Sequence, residues 1–382
     1  MRGDELPRIR GPVPGPRSRS LADRLARVES RNITARGEAG PIFWTEAAGA
    51  AVRDVDDNVY VDLTAGFGVA AAGHGNPRVG RAVARQFARL AHAMGDVHPA
   101  DVKVELLERL AELAPGDLAV SILSANGSDA VESALKTALL ATGKPGVVAF
   151  RGGYHGLGYG SLAVTGLDRF GDPFRRQLYP GVRFAPFPGL GEDPGDSLGA
   201  VRAEVEAAAD GPYPAGAVIV EPVQGRGGIV VPPPTFLPEL RDLCDALGLV
   251  LILDEVYTGL GRTGRWFACE HTGVVPDLLV LGKSLAGGLP LSAVVGGRGL
   301  MEAWPFSEGE ALHTSTFLGN PVTAAAALAN LREIEDRGLV ARAGELGERL
   351  GRRLTAWAEG RPWAAGRGWP CTTGGHWART SR

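Results

Sequence analysis

Between residues 117 and 297 the chain keeps returning to short, nearly unbroken runs of Val, Ile and Leu, separated by Gly- or Pro-bearing breaks and stretches with helical spacing. The runs are DLAVSIL, GVVAF, GAVIVEP, LVLILDEV, DLLVLGK and LSAVVGG; DAVESALKTALLA and FLPELRDLCDALG lie among them. Strands apolar at nearly every position are buried on both faces, and helices between them act as crossovers. The pattern predicts an α/β fold built on a mainly parallel sheet. In FLPELRDLCDALG, residues Phe236, Leu237, Leu240, Leu243, Cys244 and Leu247 share one helical face, and Gly248 stands where a C-terminal cap belongs.

The flanks read differently. Residues 1–20 are rich in Pro, Gly and Arg without periodicity and are expected to form a flexible arm. LADRLARVESR suits a short helix. GAAVRDVDDNVYVDL holds two β-prone runs around the turn formers Asp56, Asp57 and Asn58, which predicts a hairpin. A helix is expected through RAVARQFARLAHAM, and another helical region runs from NPVTAAAALANLREIED to about residue 358. The expected division is a small domain made of 21–75 and 317–382 around a large domain, 76–316.

Charge and cysteine usage narrow the function classes. With 40 Lys plus Arg against 43 Asp plus Glu, a net charge of −3 gives no electrostatic footprint for nucleic acid or an anionic membrane. Cys244, Cys269 and Cys371 share no metal-ligand spacing and are too few for a disulfide framework, so no metal is expected and a reducing cytoplasm is the expected setting. No apolar run reaches the 18 or so residues that span a bilayer, and the acidic residues of MRGDELPRIR stand where a signal peptide would be apolar.

Candidate chemistry gathers at strand ends, where ligands bind in open α/β sheets. Asn126, Gly127 and Ser128 lie between a strand and a helix, where free N–H groups and the helix dipole suit a phosphate; an ordinary cap by Ser128 is the plain alternative. Tyr154 and His155 follow GVVAF, and the tyrosine could stack on a flat ring or simply pack on its own loop. Asp254 and Glu255 close LVLILDEV, and Glu221 closes GAVIVEP. Buried carboxylates need a cation or donors, whether that partner is a ligand or a structural one. Lys283 follows DLLVLG. Only four of the 40 basic residues are lysine (Lys103, Lys136, Lys144 and Lys283), so the chain uses lysine rarely. Arginine stays protonated in proteins, whereas a desolvated lysine can act as a neutral nucleophile. A phosphate cup, a ring face, a carboxylate and an amine together fit pyridoxal 5′-phosphate. No GxGxxG or GxxxxGK[ST] motif follows a strand to suggest a nicotinamide cofactor or ATP instead.

From about residue 41 to 330 the sequence resembles the class III (ω-amino acid) aminotransferases of pyridoxal-phosphate fold type I. The motifs are DVDDNVYVDLTAGFGVAAAGH, NGSDAVESALK, YHG, EPVQG, LILDEVYTGLGRTG, GKSLAGGLPLSAV and STFLGNP. The resemblance implies a large domain with a mainly parallel seven-stranded sheet between helices, and a smaller α+β domain. It implies that Lys283 forms the Schiff base and shuttles the proton, and that Asp254 pairs with the pyridine nitrogen. Gly127 and Ser128 would hold the phosphate, Tyr154 and Val256 would cover the two ring faces, and Glu221 would orient neighbouring groups. Thr316 would reach the phosphate of a partner subunit, implying a homodimer with shared active sites. Phe67 would line the substrate pocket.

Two departures stand out. Family members acting on 4-aminobutyrate or N-acetylornithine usually carry Glu where this chain has Arg226. That arginine is a candidate anchor for a substrate carboxylate, with an ordinary surface arginine as the alternative. Family members also continue through an arginine-bearing turn, whereas this chain ends in GRPWAAGRGWPCTTGGHWARTSR, the text expected of a truncated or frame-shifted end. The expected activity is transfer of an amino group from an amine donor to a 2-oxo acid. An amino-acid racemase or epimerase of the same fold, and a non-catalytic cofactor-binding remnant, are the alternatives.

Overall fold

The computed structural model describes residues 1–35, 37, 40–189 and 193–359. The expected irregular tail, with Trp363, Trp369, Trp377 and Cys371, falls outside them. Ten strands are present among the described residues: β1 (Trp44–Ala48), β2 (Ala51–Asp54), β3 (Val59–Val61), β4 (Leu118–Ser124), β5 (Gly146–Phe150), β6 (Val182–Ala185), β7 (Ala215–Val220), β8 (Val250–Asp254), β9 (Leu278–Leu281) and β10 (Ser292–Gly297). The longer helices are α1 (Pro16–Leu25), α2 (Pro77–Arg89), α3 (Asp101–Leu113), α4 (Gly127–Thr142), α5 (Pro194–Ala208), α6 (Phe236–Leu247), α7 (Pro321–Asp336) and α8 (Leu339–Ala358).

Seven strands form one sheet in the order β4-β10-β9-β8-β7-β5-β6. β10 runs antiparallel to both neighbours, and the remaining pairs, β9 to β6, are parallel. Each apolar run serves two cores because side chains alternate across a strand. Val148, Phe150, Val218, Val220, Leu251, Leu253, Leu279 and Leu281 join one cluster. Val147, Ala149, Ala217, Ile219, Val250, Ile252, Leu278 and Val280 join the other. α6 has the expected buried face, and Gly248 ends it at φ 64°, a left-handed position that glycine adopts without crowding.

β1, β2 and β3 form a separate antiparallel sheet, and the hairpin appears where expected. Asp54 fixes its turn by accepting the Asp56 and Asn58 N–H groups, the Asn58 amide and the Tyr60 hydroxyl. Residues 1–20 differ from the loose arm expected. Arg8 exchanges two backbone bonds of 2.9 Å with Val59, and Arg10 N–H donates to Asn58 Oδ1 at 2.8 Å. α1 starts five residues earlier than LADRLARVESR suggests, because the Asp56 carboxylate, distant in sequence, accepts the Arg17 and Ser18 N–H groups at its first turn.

The division expected at residue 317 does not coincide with a break in the packing. α7 lies against α2 and α3, and Ala324, Ala327 and Leu331 sit in the same cluster as Leu106 and Leu285. Its alanine-rich sequence permits that close approach. α3 was not among the expected elements, although Val102, Leu106 and Leu110 bury one face at helical spacing. No helix among the described residues is long and apolar enough to cross a membrane.

Candidate active site

Most of the residues singled out from the sequence gather where the large sheet's strands end. β8 closes on Asp254, 4% exposed. Its Oδ1 accepts the Val256 N–H at 3.0 Å, and its Oδ2 pairs with His155 Nδ1 at 2.8 Å. A carboxylate only accepts, so the proton of that second bond sits on Nδ1. The neighbouring Glu255 is structural: it accepts the Ala268 and Cys269 N–H groups and the Thr258 hydroxyl.

β9 delivers Lys283 two residues past its end, at φ 42°. A non-glycine residue in that region is strained and persists only where its surroundings hold it. Its amine lies 4.9 Å from the centroid of the Tyr257 ring. Burial pushes this amine below the usual lysine range; Asp254 and Glu221 pull it back up, and Arg226 and Arg262 press it further down. The balance favours an amine that loses its proton more easily than a surface lysine does.

Glu221 follows β7 and ties two turns together. Its Oε2 accepts the Tyr154 N–H at 2.9 Å and its Oε1 accepts the Gly225 N–H at 3.1 Å. Burial raises its carboxyl to about 7, with His155 opposing the shift and Asp254 adding to it. By joining these turns, Glu221 sets Arg226 beside Tyr154: the guanidinium carbon lies 4.4 Å over the Tyr154 ring and 5.7 Å from the Phe170 centroid. No carboxylate of the described residues pairs with Arg226.

The start of α4 forms the third side. Asn126, not Ser128, is the cap, its Oδ1 accepting the Asp129 N–H at 3.0 Å. The Ser128 hydroxyl instead accepts the Gly158 N–H and bonds the Ser161 hydroxyl. The Gly127 and Ser128 N–H groups have no hydrogen-bond partner among the described residues. Val256 is wedged between this helix start and the Lys283 turn, since a methyl group placed on either Gly127 or Gly282 would come within 3.2 Å of it.

Pyridoxal phosphate suits these residues. Two unbonded N–H groups at a helix start match a phosphate, a carboxylate steadied by His155 matches a protonatable ring nitrogen, and the desolvated amine of Lys283 feels that carboxylate's charge. Two other expected residues stand apart. Phe67 is 78% exposed, on a turn whose last residue, Gly68, lies beside Lys283: a methyl group placed on it would be 3.6 Å from Lys283 Cδ. Thr316 is exposed on the segment before α7. Three neighbours of the lysine site were given no role from sequence: His155, Tyr257 and Arg262. Arg262 donates to the Gly68 carbonyl at 3.2 Å, and burial lowers its pKa. A signal for His155 and Arg262 existed in their place within YHG and GRTG, at strand-end loops.

The family model for class III aminotransferases matches residues 33–363. The putrescine aminotransferase of Pectobacterium atrosepticum is 39% identical over 323 residues, which cover 83% of this chain and 66% of that protein, just under two thirds of its length. The alanine/serine racemase of Pyrococcus horikoshii is 35% identical over 363 residues, 92% of this chain and 75% of that protein. Among solved structures, the (S)-enantioselective omega-transaminase of Thermomicrobium roseum superposes with a TM-score of 0.84 at 29% identity, over 92% of this chain and 82% of that one.

Proposed function

The chain belongs to the class III aminotransferases, pyridoxal-phosphate-dependent enzymes, and on that premise we propose that it moves an amino group from an amine or ω-amino acid to a 2-oxo acid such as 2-oxoglutarate or pyruvate, by a ping-pong mechanism. The observation that carries this reading is Lys283, a desolvated amine close enough to Asp254 and Glu221 to feel both carboxylates, past the end of β9 and next to Gly282, whose neighbour Val256 also abuts the start of α4. The similarity to a protein named for putrescine supports an amine or ω-amino acid donor.

Pyridoxal phosphate supplies, when bound, an electron sink for the charge left when a proton leaves the donor carbon. In this reading Gly127 and Ser128 hold its phosphate through their N–H groups. Asp254 keeps the ring nitrogen protonated, and His155 fixes the orientation of that carboxylate. Val256 and Tyr154 cover the ring faces, and Glu221 holds the Tyr154 turn in place. Lys283 Nζ is the nucleophile and then carries the proton, which it can do only if its neutral form is accessible. Arg226 offers a planar fork to a substrate carboxylate.

The working unit is a homodimer, with Thr316 reaching the phosphate held by the second copy. Apolar Met94, Val97, Leu312 and Phe317 are exposed on two segments that are bonded to each other through Thr314–Asp96 and Asn320–Ala91. The two buried free thiols, Cys244 and Cys269, support a reducing cytoplasmic setting.

A screen of amine donors against 2-oxo acids tests the reading. Amino transfer that needs the oxo acid supports it. Loss of chirality from a single amino acid without any oxo acid favours a racemase, and cofactor colour with no turnover of any donor favours a non-catalytic binder.

A further inference from the structure

The backbone between Asp62 and His74 adopts a conformation that most side chains resist. Ala65, Gly66, Phe67 and Gly68 take φ of 49°, 58°, 59° and 84° in succession. Glycine enters this left-handed region freely, but at Ala65 and Phe67 the Cβ crowds the following carbonyl oxygen. Such a segment persists only where neighbouring groups hold it.

Those groups are identifiable. Asp62 Oδ1 accepts the Thr64 N–H at 2.9 Å and the Thr64 hydroxyl at 2.7 Å, and Oδ2 accepts the Gly66 N–H and His74 Nε2, each at 2.7 Å. Burial alone would raise this carboxyl, yet the bonds from His74, Thr64 and Gly66 outweigh it and bring it down to about 2. The His74 ring also lies beneath the turn, since a methyl group on Gly66 would come within 3.4 Å of its Cε1. Both members of the pair are fastened to the small sheet. His74 exchanges two backbone bonds of 2.9 Å with Gly49, and the Asp62 N–H donates to the Ala50 carbonyl at 2.8 Å. At the far end of the turn, Arg262 holds the Gly68 carbonyl, and a methyl group on Gly68 would lie 3.3 Å from the Tyr257 ring and 3.6 Å from Lys283 Cδ.

We infer that Asp62 and His74 are positioning residues: together they hold the left-handed turn 65–68 in its strained form, place Phe67 at the entrance to the Lys283 site, and so determine which amine donors fit. The small sheet then does more than fill space, because it fixes the entrance through this pair. The inference rests on reading the Lys283 site as the place where an amine donor binds.

The test uses the holoenzyme with His74→Ala, His74→Gln and the double variant His74→Ala/Ala65→Gly. Two measurements are made: hydrogen exchange of the amides in 62–70, and steady-state constants for a small donor and an aryl-bearing donor. In His74→Ala, amides 64–68 should exchange about ten-fold faster while those of β8 are unchanged. KM for the aryl donor should rise about ten-fold with kcat nearly constant. His74→Gln should stay near wild type, because its amide can still donate to Asp62. Ala65→Gly should restore the double variant, because glycine removes the crowding that the clamp opposes. Unchanged exchange at 64–68, faster exchange throughout the chain, equal losses in kcat and KM, or no rescue by glycine would each overturn the inference. If the wild-type protein turns over no donor, the aminotransferase reading fails, while the exchange data still decide whether the pair holds the turn.

Discussion

A lysine can attack only through its neutral amine, so the groups around Lys283 bear directly on what it can do. Burial favours the neutral form, Arg226 and Arg262 act in the same direction, and Asp254 and Glu221 oppose them. Borohydride trapping of pyridoxal phosphate should therefore have a pH midpoint below the roughly 10.4 of an ordinary lysine. Lys283→Ala should abolish it, and peptide mass mapping that finds the adduct on Lys103, Lys136 or Lys144 would refute the assignment. Arg226 lends itself to a separate measurement. Its guanidinium rests on Tyr154 with no carboxylate partner among the described residues, so Arg226→Ala should raise KM for carboxylate-bearing donors about ten-fold and leave a plain amine nearly unaffected, a contact of roughly 1.5–3 kcal/mol. Equal effects on both donors would leave Arg226 as a surface residue. Lys283 could be singled out in the sequence because lysine is rare in this chain, and Asp254 because a carboxylate closing an apolar strand must have a partner. The motifs YHG and GRTG marked His155 and Arg262 as strand-end loop residues but not what they bond, because each bonds a residue far away in the chain: Asp254, 99 positions from His155, and Gly68, 194 positions from Arg262.

Elements bring these residues together through the loops that follow the strands. Strand positions could be read because a doubly buried strand has a strong apolar signature. Helix starts and the small sheet's attachments were harder, since they are set by contacts such as Asp56 capping α1 that leave no local trace. The start of α4, where Val256 separates it from Gly282 before Lys283, gives a prediction at this scale. Val256 is confined between Gly127 and Gly282, with 3.2 Å to a Cβ built on either, so it cannot move away from one without meeting the other. Gly127→Ala should displace Val256 or the first turn of α4 and weaken pyridoxal phosphate by about ten-fold or more. The fold should survive, because the helix keeps its Asn126 cap. Equilibrium dialysis of the cofactor together with far-UV circular dichroism separates the two effects, and unchanged affinity would mean that this glycine is not needed for the close approach.

At the scale of the whole molecule, the strand-end residues could be read from the chain itself, whereas Phe67 and Thr316 were singled out only by the family resemblance. An alanine-rich helix such as α7 gives the same apolar reading whether it caps a small domain or lies inside a large one; in the structure it packs on α2 and α3. The exposed apolar surface near Thr316 gives the last prediction. Phe317 is 65% exposed, with its ring 5.6 Å from that of His92. A charge at such a position adds little strain to the isolated chain, because water can solvate it, but at the centre of an apolar interface it would be buried without a partner. Phe317→Asp should therefore leave the melting temperature of the isolated chain nearly unchanged and shift a dimer toward monomer, raising the dissociation constant by at least about ten-fold in light scattering or sedimentation. If the proposed dimer shares its sites through Thr316, cofactor affinity should fall with it. A variant that stays dimeric would place the interface elsewhere. A variant that becomes monomeric yet binds the cofactor as tightly as before would show that each chain completes its own site.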